Sequence, residues 1–256
     1  MQALPRKKRK ERSMKRLEGK VAIVTGASRG IGKAIALAYG AEGAKVVATA
    51  RTTKAIEALV AKLEEEGTEA LAVSADLSRE PDICRIPTET LARFGRIDIL
   101  VNNAGLIHQQ IDLVDFDTDL WRQVVDVNLI APALLTKAVL PSMIGNRARK
   151  IINISSIGGR KGGKGRSAYR ATKAGLISLT ESVASEVKKY GIDVNCICPG
   201  SVDTETNRQV FGEREGPRPM RPEEIAELAV FLSTEAASSI TGAALDAFGG
   251  RNPLFL

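Results

Sequence analysis

Val21-Ala22-Ile23-Val24-Thr25-Gly26-Ala27-Ser28-Arg29-Gly30-Ile31-Gly32 is the stretch that decides the fold. An apolar, β-branched run passes into a glycine-rich turn and then into an amphipathic segment, which predicts a buried strand followed by a helix. Glycines let the backbone approach a pyrophosphate, and a helix N-terminus favours its negative charge. We expect this turn to bind a dinucleotide through Gly26, Ser28, Arg29, Gly30, Ile31 and Gly32. The alternative is a tight turn that uses glycine for structural reasons alone.

The same alternation of short apolar runs and longer amphipathic stretches continues along the chain, which is typical of a parallel sheet covered by helices on both faces. It predicts an α/β fold with a doubly wound, Rossmann-type sheet, in which ligands bind beyond the carboxyl ends of the strands. The seven predicted strands are 20–25, 44–49, 70–74, 97–101, 150–155, 192–197 and 243–247. The predicted helices are 30–41, 53–66, 79–94, 117–143, 167–189 and 222–234.

Length and charge divide the chain into a basic tail, 1–16, and one domain, 17–256. A chain of 256 residues is long enough for one sizeable core. The net charge of +7 resides in the tail, and the remaining body is formally neutral. A basic footprint for nucleic acid is therefore not expected on the domain. The tail is either a polyanion-binding or nuclear-localisation segment or a disordered extension, with Met14 as an alternative start.

Other bulk features predict a cytoplasmic protein without a metal site. No uninterrupted apolar run approaches the roughly 20 residues that cross a bilayer, and the N-terminus lacks the apolar segment of a secretory signal. Three cysteines, Cys84, Cys196 and Cys198, are too few for a disulfide framework and fit a reducing compartment. His108 is the only histidine, so a zinc site is not expected.

The end of the second strand predicts which nicotinamide cofactor is bound. An acidic side chain there would pair with the ribose hydroxyls of NAD, whereas an arginine would pair with the 2′-phosphate of NADP. The strand ends in Ala50-Arg51, and Arg29 adds a second positive charge from the glycine turn. We therefore predict NADP(H). The alternative is that both arginines are solvated surface charges.

Tyr169 and Lys173 form the candidate acid-base pair. They are four residues apart in a predicted helix, so their side chains emerge from one face. A free tyrosine has a pKa near ~10, and a nearby ammonium favours the phenolate. We expect Lys173 to lower the pKa of Tyr169 toward neutral pH. Ser155 and Ser156 end the fifth strand, and because neighbouring strand residues face opposite ways only one of them can reach the site.

With these motifs, roughly residues 17–250 of the chain resemble the short-chain dehydrogenase/reductase family. The resemblance is to the family's single-domain branch, which includes 3-oxoacyl-carrier-protein reductases. Six features of the sequence match the family's pattern. They are the spacing Gly26-x-x-x-Gly30-x-Gly32, the run Asn102-Asn103-Ala104-Gly105, Asn128, Ser156, the pair Tyr169-x-x-x-Lys173, and Pro199-Gly200 leading to Thr204. The resemblance implies an enzyme that exchanges a hydride between NADP(H) and a ketone or secondary alcohol. Its catalytic residues would be Ser156, Tyr169, Lys173 and Asn128.

The resemblance also implies individual roles. Tyr169 would supply the proton, Ser156 would polarise the carbonyl, Lys173 would hold the ribose hydroxyls, and Asn128 would position Lys173 through water. Asp76 and Leu77 would contact the adenine, although Asp76 could equally cap the next helix. The other implied cofactor contacts are Asn103, Ala104, Gly105, Pro199, Gly200, Val202 and Thr204.

Substrate and assembly are less determined by the sequence. The loop 160–166 carries four positive charges that either attract an anionic substrate, such as an acyl thioester, or are simply solvated. Arg147 matches a basic position that carrier-protein reductases use, but Tyr190 stands at their second one. The irregular stretch 204–221 is expected to be a substrate lid rather than a disordered connection.

Family resemblance implies that the long helices pair across subunits in a homotetramer. Two rival functions remain at this point. One is a non-catalytic dinucleotide-binding sensor or scaffold, which would need the glycine turn but not a serine, a tyrosine and a lysine in register. The other is a different nucleotide-binding enzyme on the same fold, such as a methyltransferase.

Overall fold

The computed structural model describes residues 15–144, 149–212 and 218–249. Residues 1–14 of the predicted tail, Arg147 and 213–217 of the predicted lid therefore lie outside the described residues. Arg16, at the end of the predicted tail, is paired with the domain, because its Nη2 lies 2.6 Å from a carboxylate oxygen of Glu42 and 3.0 Å from one of Glu227.

Seven strands of the described chain form one sheet. They lie in the order β3-β2-β1-β4-β5-β6-β7, and every neighbouring pair is parallel. This arrangement confirms the predicted doubly wound sheet. The strands are β1 (Val21–Thr25), β2 (Lys45–Ala50), β3 (Ala70–Ser74), β4 (Ile99–Asn102), β5 (Arg149–Ile154), β6 (Ile192–Pro199) and β7 (Ala244–Ala247).

The helices agree with the predicted ones except in three places. They are α1 (Gly30–Ala41), α2 (Thr53–Glu65), α3 (Glu80–Phe94), α4 (Thr118–Val125), α5 (Ala131–Met143), α6 (Ser167–Val187), α7 (Glu205–Phe211) and α8 (Pro222–Ser233). The predicted helix 117–143 is interrupted by the π-helical segment Asp126–Ile130, and α6 ends at Val187, before a 3₁₀ turn, Lys188–Tyr190. Helix α7 lies in a stretch predicted to be irregular, because seven residues are too few to reveal a helical period.

Helices cover both faces of the sheet because successive strand residues point to opposite sides. Ala22 and Val24 of β1 pack in one apolar cluster with residues of α1, α2 and α8, whereas Ile23 packs in a second cluster with residues of α3, α5 and α6. Each isoleucine or valine buried in this way stabilises the fold by about 1.5–3 kcal/mol.

The topology places a crevice between β1 and β4. From β1 the chain builds outward through β2 and β3, and it then returns to place β4 on the other side of β1. Ligands of doubly wound sheets bind beyond the carboxyl ends of the strands at such a reversal. The residues that follow Thr25 and Asn102 therefore form the wall of the expected site.

One described helix, Thr118–Met143, is long and apolar enough to cross a membrane by length and composition alone. Polar residues interrupt this segment, so it contains no long continuous apolar run. Leu135, Val139 and Met143 on this helix are buried against α3, α6 and the sheet. A core helix of a globular domain meets the same criterion.

Candidate active site

The glycine turn after β1 packs tightly against the end of β4. A Cβ atom on Gly32 would lie 2.4 Å from the Asn103 side-chain nitrogen and 2.4 Å from the carbonyl oxygen of Gly26. Gly26 has a φ of +65°, and a Cβ there would lie 2.9 Å from the Cα of Ala104. Only glycine fits at these two positions, and the turn lies at the carboxyl end of β1, where a pyrophosphate is expected.

Thr25 organises the cradle, although the sequence reasoning did not single it out. Its hydroxyl donates to the carbonyl of Val101 at 3.2 Å and accepts from the backbone nitrogens of Asn103 at 2.9 Å and Ala104 at 3.0 Å. The Asn103 side chain donates back to the carbonyl of Thr25 at 2.8 Å. A threonine at the end of a continuously apolar strand was the available signal, because a buried hydroxyl needs partners.

Two arginines lie on the loops that follow β1 and β2. Arg29 is in the glycine turn after β1, Arg51 directly follows β2, and both are exposed. The carboxylate of Asp76 accepts from the backbone nitrogen of Ser78 at 3.0 Å and from its hydroxyl at 2.8 Å. The Ser78 backbone hydrogen bond is the main reason that the pKa of Asp76 is lowered, and Arg51 adds to the effect. The N-cap of α3 is Arg79, so the alternative role of Asp76 as that cap is wrong.

The segment after β6 crosses over the glycine turn. The Gly200 nitrogen donates to the Ala247 carbonyl at 2.8 Å, and Val202 is buried in a bridge with Met220. The Thr204 hydroxyl accepts from the Asn207 nitrogen at 3.1 Å and so caps α7. A Cβ on Gly30 would lie 3.1 Å from the methyl group of Thr204, which shows that the two segments meet. Beside this contact opens a cavity of about 270 Å³ between α1, α7 and α8.

Ser156, Tyr169 and Lys173 come together beyond the carboxyl end of β5. The Tyr169 ring and the Ser156 hydroxyl lie together around Gly158, because a Cβ atom there would lie 3.3 Å from Cε1 of Tyr169 and 3.4 Å from Oγ of Ser156. The Lys173 ammonium donates to the Ile154 carbonyl at 2.7 Å and lies 5.8 Å from the centre of the Tyr169 ring. The Ser155 hydroxyl points the other way and donates to the Lys173 carbonyl at 2.8 Å. The structure thus places Ser156, and not Ser155, beside the phenol.

Burial dominates the protonation of this group. It lowers the pKa of Lys173 to about 8, and the nearby thiols of Cys196 and Cys198 oppose that shift. Burial also raises the pKa of Tyr169, against the lowering effects of the Ser156 hydrogen bond and of Arg166 and Arg170. The sequence predicted that Lys173 would lower the pKa of Tyr169, whereas the pKa of Tyr169 is raised. The reason is that desolvation disfavours the charged forms of both the phenol and the amine.

Asn128 occupies the π-helical segment between α4 and α5 and is fully buried. Its side-chain oxygen accepts from the Leu106 nitrogen at 2.7 Å, and its nitrogen donates to the Leu106 carbonyl at 3.0 Å and to the Thr172 hydroxyl at 3.3 Å. Asn128 therefore joins the segment after β4 to α6. A Cβ on Gly105 would lie 3.5 Å from both the Asn128 oxygen and the Lys173 nitrogen, which places these two atoms around Gly105.

The cations of the loop 160–166 are largely engaged within the molecule. The Arg160 guanidinium lies 3.0 Å from a carboxylate oxygen of Asp246, the Lys164 ammonium lies 3.6 Å from one of Asp112, and Arg166 is buried. These contacts reduce the positive field available to an anionic substrate. His108 is buried, and its Nδ1 lies 2.6 Å from the Gln109 carbonyl.

Cys196 and Cys198 lie on one face of β6, as their alternation predicts, and both are buried with Ile177. Cys84 is exposed, and all three thiols are free. Among the residues that the structure describes, no group of three or more histidine, cysteine, aspartate or glutamate side chains is arranged to hold a metal ion.

The short chain dehydrogenase family profile matches residues 20–215. The chain therefore belongs to the short-chain dehydrogenase/reductase family and is an oxidoreductase, as the sequence motifs predicted. A 3-oxoacyl-(acyl-carrier-protein) reductase of Synechocystis sp. is 40% identical over 248 residues, which cover 93% of this chain and 98% of the relative.

Two solved structures share the architecture over nearly the whole chain. A short chain dehydrogenase from Burkholderia cenocepacia in complex with NADP superimposes with a TM-score of 0.85 at 32% identity, covering 92% of this chain and 98% of the other. Levodione reductase superimposes with a TM-score of 0.86 at 32% identity and the same coverage.

Proposed function

We propose that this protein transfers a hydride between NADP(H) and a ketone or secondary alcohol. The observation that carries the proposal is the grouping of Ser156, Tyr169 and Lys173 next to a glycine cradle at the carboxyl edge of the sheet. A site for dinucleotide binding alone needs the cradle but has no use for a phenol beside a serine hydroxyl and a buried ammonium. The same grouping disfavours a methyltransferase.

The residues of the crevice suit NADP(H). The glycine turn precedes the N-terminus of α1, where a pyrophosphate is favoured. Arg29 in that turn and Arg51 after β2 are exposed, and Ala50 at the end of β2 leaves no carboxylate to repel a 2′-phosphate. NADP in the Burkholderia cenocepacia relative supports the same choice. When bound, the reduced cofactor supplies the hydride.

The chain's own residues then handle the proton and the carbonyl oxygen. Negative charge builds on that oxygen as the carbonyl carbon is reduced, and the Ser156 hydroxyl stabilises it by donating a hydrogen bond. Tyr169 donates its phenolic proton to the same oxygen. The Lys173 ammonium stabilises the resulting phenolate and holds the ribose hydroxyls, and Asn128 positions Lys173 by joining the segment after β4 to α6.

The remaining implied contacts surround the same crevice. Asp76 and Leu77 lie at the end of β3, on the adenine side. Asn103, Ala104 and Gly105 follow β4, and the segment with Pro199, Gly200, Val202 and Thr204 lies on the nicotinamide side. Their placement at the carboxyl edge of neighbouring strands supports the roles proposed for them.

A 3-oxoacyl thioester is the first substrate class to test. The Synechocystis sp. reductase supports this choice through 40% identity over almost the whole chain. The exposed Tyr190, at a position where carrier-protein reductases are basic, weakens the case for a carrier-protein thioester. A coenzyme A thioester is therefore the better probe.

We also propose a cytoplasmic homotetramer. Ile130 and Ile144, which flank α5, and Phe231 on α8 leave large apolar side chains exposed on the single chain, as helices that pair between subunits would. Light scattering during size-exclusion chromatography would give about four chain masses, and a particle of one chain mass of 27.4 kDa would refute the tetramer. Recovery in the membrane fraction after cell lysis would refute the location.

The decisive experiment measures NADPH oxidation with a panel of ketones and acetoacetyl-coenzyme A, for the unmodified protein and for Tyr169→Phe. We expect turnover in the unmodified protein and its loss by a factor of about 10² to 10⁴ in the variant, the usual contribution of a general acid. NADPH binding, followed by fluorescence, should persist because the variant lacks a single hydroxyl. Unchanged turnover in Tyr169→Phe would refute the mechanism.

A further inference from the structure

Arg166 is a buried cation that the proposed mechanism does not use. It immediately precedes α6, three residues before Tyr169, and only 6% of its surface is exposed. Taking a guanidinium out of water is costly unless its partners compensate for the lost hydration. The contacts that hold Arg166 in place therefore reveal what its position achieves.

Among the described residues, contacts of Arg166 and its neighbour Gly165 join the start of α6 to two other segments. The guanidinium carbon lies 4.3 Å from the centre of the Phe211 ring, at the end of α7. A guanidinium nitrogen donates to the carbonyl of His108, in the segment after β4. The two loops meet again where the Ile111 nitrogen donates to the Gly165 carbonyl at 3.0 Å.

We propose that Arg166 is a positioning residue that holds the end of α7 against the start of the catalytic helix α6 through Phe211 and places a permanent positive charge about one helical turn before Tyr169. This inference rests on the proposed function, because it takes Tyr169 as the proton donor. The planar guanidinium is suited to both tasks, since it stacks on an aromatic ring and stays charged at all physiological pH values.

The charge has a defined electrostatic effect. Arg166 lowers the pKa of Tyr169, as do Arg170 and the Ser156 hydrogen bond, against the raising effect of burial. Arg170 is directed elsewhere, because its guanidinium donates to the carbonyls of Lys161 at 2.6 Å and Gly162 at 2.8 Å.

The groups on other elements face different partners. Cys196 and Cys198 on β6 face Lys173, which itself lies 5.8 Å from the Tyr169 ring. His108, from the segment after β4, faces Arg166. Among these cations, Arg166 is therefore the one that links the protonation of Tyr169 to the position of α7.

The two tasks separate by substitution. Arg166→Lys keeps the charge but loses the planar stack, Phe211→Leu loses the stack but keeps the charge, and Arg166→Met loses both. For alcohol oxidation, which needs the phenolate, loss of the charge should move the midpoint of the acidic limb of the kcat/KM profile to higher pH. Loss of the stack should raise the KM for ketone roughly tenfold, while the KM for NADPH stays within about twofold, because Phe211 lies at the opposite end of α7 from Thr204, the proposed cofactor contact.

We therefore expect Arg166→Met to show both the shifted midpoint and the raised KM for ketone. Phe211→Leu and Arg166→Lys should each raise the KM for ketone and leave the midpoint unshifted. Phe94→Leu on α3 and Arg122→Met on α4 are matched controls, because the first removes an aromatic ring stacked 5.0 Å from the Arg93 guanidinium and the second removes an exposed cation. An unshifted midpoint in Arg166→Met, or an unchanged ketone KM in Phe211→Leu, would overturn the inference. If Arg166→Met does not fold, Arg166→Lys and Phe211→Leu still test the stack, because both should raise the KM for ketone and an unchanged value in either would overturn it.

A direct titration keeps this test independent of turnover. The absorbance of tyrosinate, with Tyr169→Phe subtracted, reports the pKa of Tyr169 in a chain with three tyrosines. It should rise in Arg166→Gln and not in Arg166→Lys, and equal values in both would refute the electrostatic role even if no substrate were turned over. Absence of turnover in the unmodified protein would instead refute the proposed function.

Discussion

The ammonium nitrogen of Lys173 lies 5.8 Å from the centre of the Tyr169 ring, one turn further along α6, and donates to the Ile154 carbonyl at 2.7 Å. The two side chains share a helix face, and both are held at the end of β5. Burial lowers the pKa of Lys173 to about 8, so its charge is lost within an accessible pH range. The support that Lys173 gives to the phenolate should therefore depend on pH.

Ketone reduction should decline as the pH rises through about 8, the pKa of Lys173. Below that pH the ammonium stabilises the phenolate left when Tyr169 donates its proton, and above it the neutral amine does not. Lys173→Arg remains charged to a pH above ~12, so its reduced activity should not show this decline. The measurement is kcat/KM for ketone between about pH 6 and 10. A descending limb at the same pH in both proteins would assign it to another group.

Arg51→Asp should reverse the cofactor preference. A hydrogen bond to a charged group contributes about 1.5–3 kcal/mol, so kcat/KM for NADPH should fall at least roughly tenfold. The value for NADH should hold or rise, because an aspartate can accept hydrogen bonds from the ribose hydroxyls. Lys62→Asp on α2 makes the same change of charge away from the crevice and serves as the control. Equal losses with both cofactors would show that Arg51 does not contact the phosphate.

Gly32→Ala should abolish cofactor binding. The added methyl group would lie 2.4 Å from the Asn103 side chain and 2.4 Å from the Gly26 carbonyl, so the cradle must distort. Overpacking of this kind costs about 1–3 kcal/mol of stability and displaces the backbone that faces the pyrophosphate. Gly162→Ala is the matched control, because a Cβ there meets no atom within 4 Å. Isothermal titration with NADPH measures the effect, and equal affinities in the two variants would contradict it.

Asp98→Ala should strongly destabilise the protein. Asp98 directly precedes β4 and so lies at the end of the strands opposite the active site. The fully buried carboxylate accepts from the Val21 nitrogen at 2.9 Å and from Arg96 at 2.7 Å, and it contacts the buried guanidinium of Arg149. Removing it leaves a buried charge without its partner, which costs about 3–5 kcal/mol.

Denaturant unfolding measures this loss. Asp119→Ala is the control, because Asp119 is 88% exposed and its pair with Arg122, at 3.1 Å, should contribute no more than about 1 kcal/mol. Similar free energies of unfolding for the two variants would show that the Asp98 cluster contributes little.

Much of the fold could be predicted because it follows from local periodicity. The apolar runs placed all seven strands, and the glycine turn after β1 placed the crevice. The break in the helix 117–143 could not be predicted, because the π-helical segment at Asp126–Ile130 depends on the hydrogen bonds of Asn128 with Leu106 and Thr172. Helix α7 was not predicted, because it is short and because its N-cap, Thr204, is a residue type that is equally common in turns.

The sequence alone determined the order of strands and helices, the cradle of glycines and the placement of Tyr169 and Lys173 on one face, because backbone geometry sets side-chain direction over a few residues. Only the tertiary structure decided that Ser156 rather than Ser155 meets the phenol, that Arg160 pairs with Asp246, and that Arg166 is buried against Phe211. Desolvation and ion pairing act between segments that are distant in the chain and meet only after folding. For the same reason, the pKa of Tyr169 followed its burial rather than its spacing from Lys173.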